Sequence, residues 1–587
     1  MAKQSQALFK LICVGLLALA ISVALPVYAH AVIEKAEPPV GGAVAAAPAQ
    51  VRVWLTEPIA PGFSRLSVYP AGSDAPVDLG DSRLEGDRVL TVSLPAHLPG
   101  GSYTVQWQAF TQSDGHTTSG TYSFGVGVPA DPAQTVVAQG SPVADAARLL
   151  SLGGQLLFAG VIMFRWAIRL DDERRFRRRL FWAAQVARAA LVLGLLAALY
   201  QQMRVLNAPL LTTVLGTQWG AVWLARAALG GFIAGGIHRL MRGESRSAAA
   251  LAGGLLLLTT SVTSHSAARF GAAGVAADWV HLLAASVWSG GALCAALALA
   301  DGERKFLADF SILASAAVGA LAVTGLWLGR EQVGSWAALL LTDYGRALLI
   351  KLAVAAVAFG LGAVNALRPS RQLVTLEAAL GLGVIACAAV LTNLPPAVGQ
   401  IPSGAPTRLE RIGSVADAQA QLSLWPARQG VNTVQARLTD AAGAPMAGAQ
   451  VSAQFFPRSA EAVVSELPLT EVGGGVYSAT GANFTAEGSW EVLLKINTAD
   501  YLNFDFSIGP DGAVRSAGEP LSATVRAVGW LNRYAGALAA GALLALASGW
   551  SWLAWRSLPR SKLTVALWVV PGLLFAGAIW LWILLTF

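Results

Sequence analysis

Cysteine is scarce in this chain: among 587 residues there are three, Cys13, Cys294 and Cys387, each within an apolar stretch. A disulfide framework is therefore excluded, and any exported domain must be held by its own core. Charge is also thin. Only 13% of the residues are charged and 55% are hydrophobic, whereas soluble domains carry roughly 25% charged residues; much of the chain must sit in lipid. Methionine counts five, too few for a ladder of thioethers suited to a soft metal ion. There is no Gly-x-x-x-x-Gly-Lys-[Ser/Thr] loop and no phosphorylatable aspartate motif of the transport ATPases, which excludes nucleotide hydrolysis as an energy source within the chain and nucleotide as a partner.

What charge there is follows a pattern. The net charge of +7 invites a nucleic-acid reading, but the basic residues cluster in short loops between apolar segments, the arrangement of membrane topology rather than of a groove-reading surface. No nucleic-acid partner is expected. Lys3 and Lys10, the apolar run Leu11 to Leu25, and Val27-Tyr28-Ala29 form the three parts of a secretory signal, 1–29, and removal after Ala29 would make His30 the first residue.

The expected fold is multidomain. Residues 30–128 read as an all-β sandwich, with alternating runs such as Val51-Arg52-Val53-Trp54-Leu55 and Tyr103-Thr104-Val105-Gln106-Trp107 between Pro/Gly/Asp turns. A linker spans 129–145. A polytopic α-helical membrane domain, 146–398, follows with eight apolar segments near 146–170, 181–203, 218–240, 248–264, 277–300, 306–330, 345–367 and 372–394, most of them reaching the roughly 20 residues that cross hydrocarbon. A second exported β-sandwich occupies 399–525, and two C-terminal spans fill 526–587. Arginines 174, 175, 177, 178 and 179, then Arg239, Arg242 and Arg246, then Arg304 and Lys305, then Arg368 and Arg371 follow every second segment. Those loops are therefore expected on the cytoplasmic side, and both β domains on the outer side of the membrane.

Metal-binding chemistry is suggested by His30 taken with Ser113-Asp114-Gly115-His116. A free N-terminal histidine offers an α-amine and an imidazole that can chelate one ion. Asp114 and His116 are two apart and project to one face of an extended strand. Three nitrogens and one carboxylate oxygen form a tetragonal set that favours Cu(II). Each piece alone has a plain explanation, since Asp-Gly is an ordinary turn and a lone histidine after it an ordinary loop residue; a histidine placed at the signal cleavage point tilts the balance.

These residues, with Pro38, Gly41, Trp107 and Gly120 through Phe124, resemble the CopC periplasmic copper-binding family over essentially all of 30–128. The resemblance implies a β-sandwich that binds Cu(II) through His30, Asp114 and His116, with Glu57 at the place where some members add a carboxylate. The domain departs from Met-rich members in having no methionine after cleavage, so a single Cu(II) site is expected. His97 reads as a surface turn residue.

Ionisable residues inside spans are candidate sites by default. His265 closes the fourth segment on its outer side, and Asp278 and His281 open the fifth, three apart on one helical face, with His281 about 6 Å below the outer boundary. The three form a candidate membrane entry site; a hydrogen-bonded pair that anchors a helix end is the plainer reading. Ser264-His265, Asp278, His281, Trp288, Gly290-Gly291, Thr324-Gly325, Gly345-Arg346, Lys351, Asn365, Glu377 and Pro395-Pro396 resemble the CopD copper-resistance family over about 146–398, which implies copper movement across the membrane. Lys351 and Arg346 are expected to pair with Asp343, Glu377 to be a relay or a structural partner, Cys294 and Cys387 to be packing residues, and His238 to be an ordinary loop residue. The 399–525 domain has no histidine or cysteine and only Met446, so a spacer or interaction role is expected there.

The resulting expectation is periplasmic Cu(II) capture followed by copper transport for uptake, homeostasis or resistance, with copper ion, the lipid bilayer and other periplasmic copper-handling proteins as partners, and no enzyme activity. The rivals are a copper-dependent oxygenase built on the N-terminal histidine chelate and a membrane-anchored copper sensor or assembly factor.

Overall fold

The computed structural model describes residues 33–534 and 541, apart from 72, 74, 112–116, 129, 131–141, 169–173, 243, 245, 302, 303, 305, 395, 399–407, 416, 417, 459–463, 498 and 499. The chain divides into two compact units: a helical unit containing Gly140–Gln400, and a β unit made of His30–Gln139 together with Ile401–Gly529.

In the β unit, the first eight strands are β1 (Ile33–Glu37), β2 (Ala43–Val44), β3 (Gln50–Leu55), β4 (Arg65–Pro70), β5 (Arg83–Glu85), β6 (Val89–Ser93), β7 (Gly101–Phe110) and β8 (Thr117–Val126). They form two four-stranded sheets, ordered β1-β3-β6-β5 and β2-β8-β7-β4. Alternation explains the sandwich. Along β3, Val51, Val53 and Leu55 are fully buried while Arg52 and Trp54 face outward, and along β7 the side chains of Tyr103, Val105 and Trp107 are buried. Each buried aliphatic side chain contributes about 1.5–3 kcal/mol relative to exposure, and only the observed register puts the whole set inside. Arg52 folds outward over Trp54 and pairs with Glu85 at 2.6 Å.

The other nine strands, β9 (Leu409–Val415), β10 (Ala418–Trp425), β11 (Gly430–Asp440), β12 (Val451–Pro457), β13 (Ser465–Gly473), β14 (Val476–Phe484), β15 (Gly488–Ile496), β16 (Asp500–Ile508) and β17 (Val514–Ser516), form one sheet in the order β17-β16-β15-β12-β13-β14-β11-β10-β9. This sheet folds back on itself, because Gly413 of β9 packs on Leu502 and Phe504 of β16. Phe455, Phe484, Trp490 and Phe506 fill the interior with edge-on ring contacts, and the Trp490 indole donates to the Ala486 carbonyl.

The two β domains meet. The Thr433 hydroxyl donates to the Val40 carbonyl at 3.1 Å, and Arg408 donates to the Ala130 carbonyl at 2.6 Å. Ala43, Val472 and Val476 share a small buried cluster. Gly41, with φ of 69°, lies flat against Trp425, where an added methyl would come within 2.6 Å of the ring; glycine meets both the backbone and the packing demand.

The helical unit contains α1 (Pro142–Ala167), α2 (Arg174–Leu206), α3 (Leu210–Leu215), α4 (Gln218–Met241), α5 (Arg246–Ser261), α6 (His265–Ala285), a π-helical turn (Ser286–Gly290), α7 (Gly291–Ala300), α8 (Leu307–Val333), α9 (Trp336–Leu341), α10 (Asp343–Leu367) and α11 (Arg371–Leu391). Among the described residues, seven helices are long and apolar enough to cross a membrane. The segment expected at 248–264 is α5, whose 16 residues fall short of a full crossing. The C-terminal pair of spans lies outside the described residues beyond a helical stretch at 523–534. α1 is the central helix, with Phe158, Val161 and Ile162 fully buried, whereas α2 and α10 present Val186, Leu193, Ile350 and Val357 outward. Such apolar outer faces need lipid rather than water.

Two irregularities shape the fifth segment. The sequence places its start at 277, but α6 is helical from His265, capped by Ser264 accepting from the Ala267 amide, and is kinked at Gly271 (φ 55°, ψ −134°). Further along, the π-helical turn packs against Gly160 of α1, where any side chain would collide with the backbone at Ser286 and Gly290. Single π turns inside α-helices are common beside functional sites.

Candidate functional site

At one end of the first sandwich, three chain segments converge. β1 runs antiparallel to β3 with Ile33 opposite Leu55, so β1 begins where β3 finishes. Glu57 follows β3 directly and is 4% exposed. Ile59 then bridges to Thr111, and the Ala60 amide donates to the Phe110 carbonyl at 2.8 Å, which pins this segment to the last residues of β7. The β7–β8 hairpin closes at the same end, with Phe110 opposite Thr117. His30, Asp114 and His116 lie outside the described residues. The strands that lead to all three nevertheless terminate around Glu57, a carboxylate withdrawn from solvent. That burial is not foretold by the residue pattern around Glu57.

The opposite end of the sandwich is taken by the nine-stranded domain. Its contacts fall on Val40, Gly41, Ala43 and Ala130, beside the pairing of β2 with Gly125 and Val126. From Thr117 to Gly125 is about 26 Å along an extended strand. Among the described residues, those contacts lie away from the end around Glu57. His97 is exposed.

In the helical unit, Asp278 and His281 do share one face of α6. The His281 Nδ1 lies 2.9 Å from the Thr324 hydroxyl of α8, which itself donates to the Ala320 carbonyl at 2.6 Å. A hydroxyl already committed as donor offers its lone pair to the imidazole, so Nδ1 carries the proton and Nε2 is left as the acceptor or ligand nitrogen. Gly325 leaves room for the ring; a methyl there would sit 3.3 Å from Cε1. Lys351 of α10 is close enough to attract Asp278 electrostatically. Of the two partners expected for Asp343, Arg346 pairs with it at 3.5 Å on the same helix turn, whereas Lys351 lies two turns further along. Above this cluster, Gln332 donates to Ser266 at 3.0 Å and accepts from Tyr344, tying together the adjoining ends of α6, α8 and α10.

His281 stands ten residues beyond the Gly271 kink, about 15 Å along α6. His265 opens α6, and its side chain is outside the described residues. The sequence overlooked Thr324 and the Asp278–Lys351 attraction, although Thr324-Gly325 and Lys351 both belonged to the quoted pattern.

A second polar cluster lies elsewhere in the bundle. Glu377 of α11 is buried and accepts from Asn365 Nδ2 at 2.8 Å and Trp288 Nε1 at 3.2 Å. Cys294 is buried in α7, and Cys387 stands on α11; both are free thiols.

The family described as CopC domain fits residues 33–127, and that described as Copper resistance protein D fits residues 304–391. This chain carries a CopC and a CopD domain in one polypeptide. The CopD match starts after α7, so Asp278 and His281 lie outside the matched stretch. A YtkA-like family fits 414–495, within the nine-stranded sheet. The "Copper transport protein CutJ" of Bacillus subtilis (strain 168) is 29% identical over 518 residues, covering 81% of this chain and 94% of that protein. Among solved structures, CopC from Methylosinus trichosporium OB3b is 29% identical over 16% of this chain and 93% of its own, with a TM-score of 0.15. PcoC, a methionine-rich copper resistance protein from Escherichia coli, is 28% identical over 17% and 99%, also with a TM-score of 0.15. The CopC–CopD fusion is a multi-pass membrane protein, and nothing in these likenesses supports the oxygenase or sensor readings.

Proposed function

We propose that this CopC–CopD fusion captures Cu(II) on the outer side of a bacterial inner membrane and moves copper across that membrane. The capturing ligands are His30, through its α-amine and imidazole after removal of 1–29, with Asp114 and His116, and with Glu57 as a buried carboxylate at the same end. The observation that carries the reading is the convergence of the start of β1, the end of β3 and the β7–β8 hairpin around Glu57. A nitrogen-rich set with one or two carboxylates suits Cu(II) above the other divalent first-row ions.

Within the membrane, Asp278 and the Nε2 of His281 form the entry site, with Lys351 holding the carboxylate's charge when no copper is bound. A cation arriving there replaces one positive partner with another, so the site is never left as an unpaired buried anion. The domain order, 1–29, 30–128, 129–145, 146–398, 399–525 and 526–587, is part of the same proposal, as is the spacer role of the nine-stranded domain.

The test uses the full chain in detergent. N-terminal sequencing is expected to begin at His30, and electron paramagnetic resonance of the Cu(II)-loaded protein to show nitrogen couplings that His30→Ala and His116→Ala each reduce. A retained leader, or a Cu(II) signal unaltered by both substitutions, would overturn the capture site. Uptake of copper by proteoliposomes tests transport separately.

A further inference from the structure

The kink in α6 folds the helix back on itself. Gly271 has φ 55° and ψ −134°, the mirror image of an extended residue and a conformation that glycine adopts at no steric cost. Eight residues of straight helix span about 12 Å, yet the Ser266 carbonyl lies so close to Gly274 that an added methyl would overlap it. Residues 265–270 therefore form a short arm, capped by Ser264, that lies back on the first turn of the longer arm, 272–285.

The short arm covers the approach to Asp278 and His281. Asp278 stands one turn beyond Gly274 on the longer arm. Ser266 and Ala267 are buried under the fold-back. Phe270 packs on Trp327 of α8 with ring centroids 5.2 Å apart. Trp327 follows Thr324, the partner of His281, by three residues, or about 4.5 Å along α8, so the ring pair sits one turn from the imidazole contact. The polar tie is the Gln332 amide, which donates to the Ser266 hydroxyl at 3.0 Å. The same side chain accepts from Tyr344, which lies within electrostatic reach of Asp278. Gln332 thus links the arm to the cluster beneath it. No atom lies within 4 Å of where a side chain would begin at Gly271; glycine is required there by the backbone alone, and the pivot is not wedged by packing.

We propose that residues 265–270 are a gate that swings about Gly271 and controls access from the outer side to Asp278 and His281. The proposal rests on the reading of that pair as the entry site. Hinges of this kind are a few residues that absorb a large change in φ and ψ, and the neighbouring segment moves as a unit. Closed, the arm keeps water from the cluster, and Lys351 supplies the counter-charge of Asp278. Open, it admits an ion to the same carboxylate. The arm begins at His265, so a residue with an imidazole travels with the gate. A single neutral hydrogen bond and a ring pair are a modest hold, which suits a segment that must release.

The test reads access rather than transport. The full chain with a Thr324→Cys reporter, in proteoliposomes, is treated with a small charged methanethiosulfonate, and mass spectrometry of the reporter peptide gives the rate of modification. Adding Ser266→Ala removes the bond from Gln332 without opening a hole and should speed modification about fivefold, the effect of one neutral hydrogen bond. Adding Gly271→Ala meets no neighbouring atom but strains the folded-back backbone, and should speed it at least as much. Adding Ser370→Ala removes a hydrogen bond at the start of α11 instead and should leave the reporter's rate unchanged. Equal rates with and without Ser266→Ala and Gly271→Ala would overturn the gate, and so would an equal rise with Ser370→Ala, which would mean general loosening. Modification needs no copper, so gated access in a protein that takes up no copper would reject the entry-site reading and leave the gate standing.

Discussion

Two polar clusters sit in the same helical unit, and they are built on different principles. Glu377 has its lone pairs occupied by neutral donors, the amide of Asn365 and the indole of Trp288, next to a glycine, Gly362, that lets the helices close in. Asp278 instead lies within electrostatic reach of a cation, Lys351, as well as of the Ser261 hydroxyl, and shares its helix face with His281, whose ring is oriented by Thr324. Neutral hydrogen bonds fix a carboxylate in place. A flexible ammonium on a four-carbon stem can swing away when another cation arrives. The first arrangement suits a rigid joint, and the second suits a site that exchanges ions.

The sharpest way to break this contrast is a double-mutant cycle between Asp278 and Lys351. Asp278→Asn or Lys351→Met alone should each lower stability, because each leaves the other half-buried charge without that attraction, and the double variant should recover most of that loss. Denaturant unfolding in micelles measures it. Additive losses would mean the two side chains do not act as a pair. A smaller effect is expected at the other cluster. Asn365→Leu should cost about 1–3 kcal/mol by stripping Glu377 of a donor, while copper uptake by proteoliposomes stays within about twofold of the parent, since about 1.4 kcal/mol would already be tenfold. Uptake abolished by Asn365→Leu in a protein that still folds would erase the distinction between joint and exchange site.

Much of this was legible in the sequence, for physical reasons. Strict alternation at Val51, Val53 and Leu55 allows only one face inward, so the sandwich followed from the pleat. Arginine-rich starts such as that of α2 fall where long apolar helices begin. What the sequence hid depends on contacts between distant residues. Burial of Glu57 comes from the bridge of Ile59 to Thr111, 52 residues apart by number (111 − 59). The docking of Trp425 on Gly41 joins domains separated by the whole helical unit. The start of α6 was misread because Ala268 to Ala277 hold an arginine and several small residues with only Phe270 and Val275 as larger apolar ones, although with the Ser264 cap they are helical on both sides of the Gly271 kink. Of the two cations expected beside Asp343, Arg346, one turn away, does pair with it, whereas Lys351 is too far along the helix.

Two finer tests separate a ligand from the residue that positions it. His281→Ala should lower copper uptake about tenfold, or about 1.4 kcal/mol, with little change in folding, because the ring is only partly buried. Thr324→Val removes the hydroxyl that faces Nδ1 but keeps its shape, and a neutral hydrogen bond contributes about 0.5–1.5 kcal/mol. Uptake should therefore fall only about threefold, whereas Thr324→Ser, which keeps the oxygen, should restore it. If His281→Ala and Thr324→Val were equally damaging and serine failed to rescue, the imidazole would be acting through packing against α8 rather than through its Nε2. The exchange site would then reduce to Asp278 and Lys351 alone.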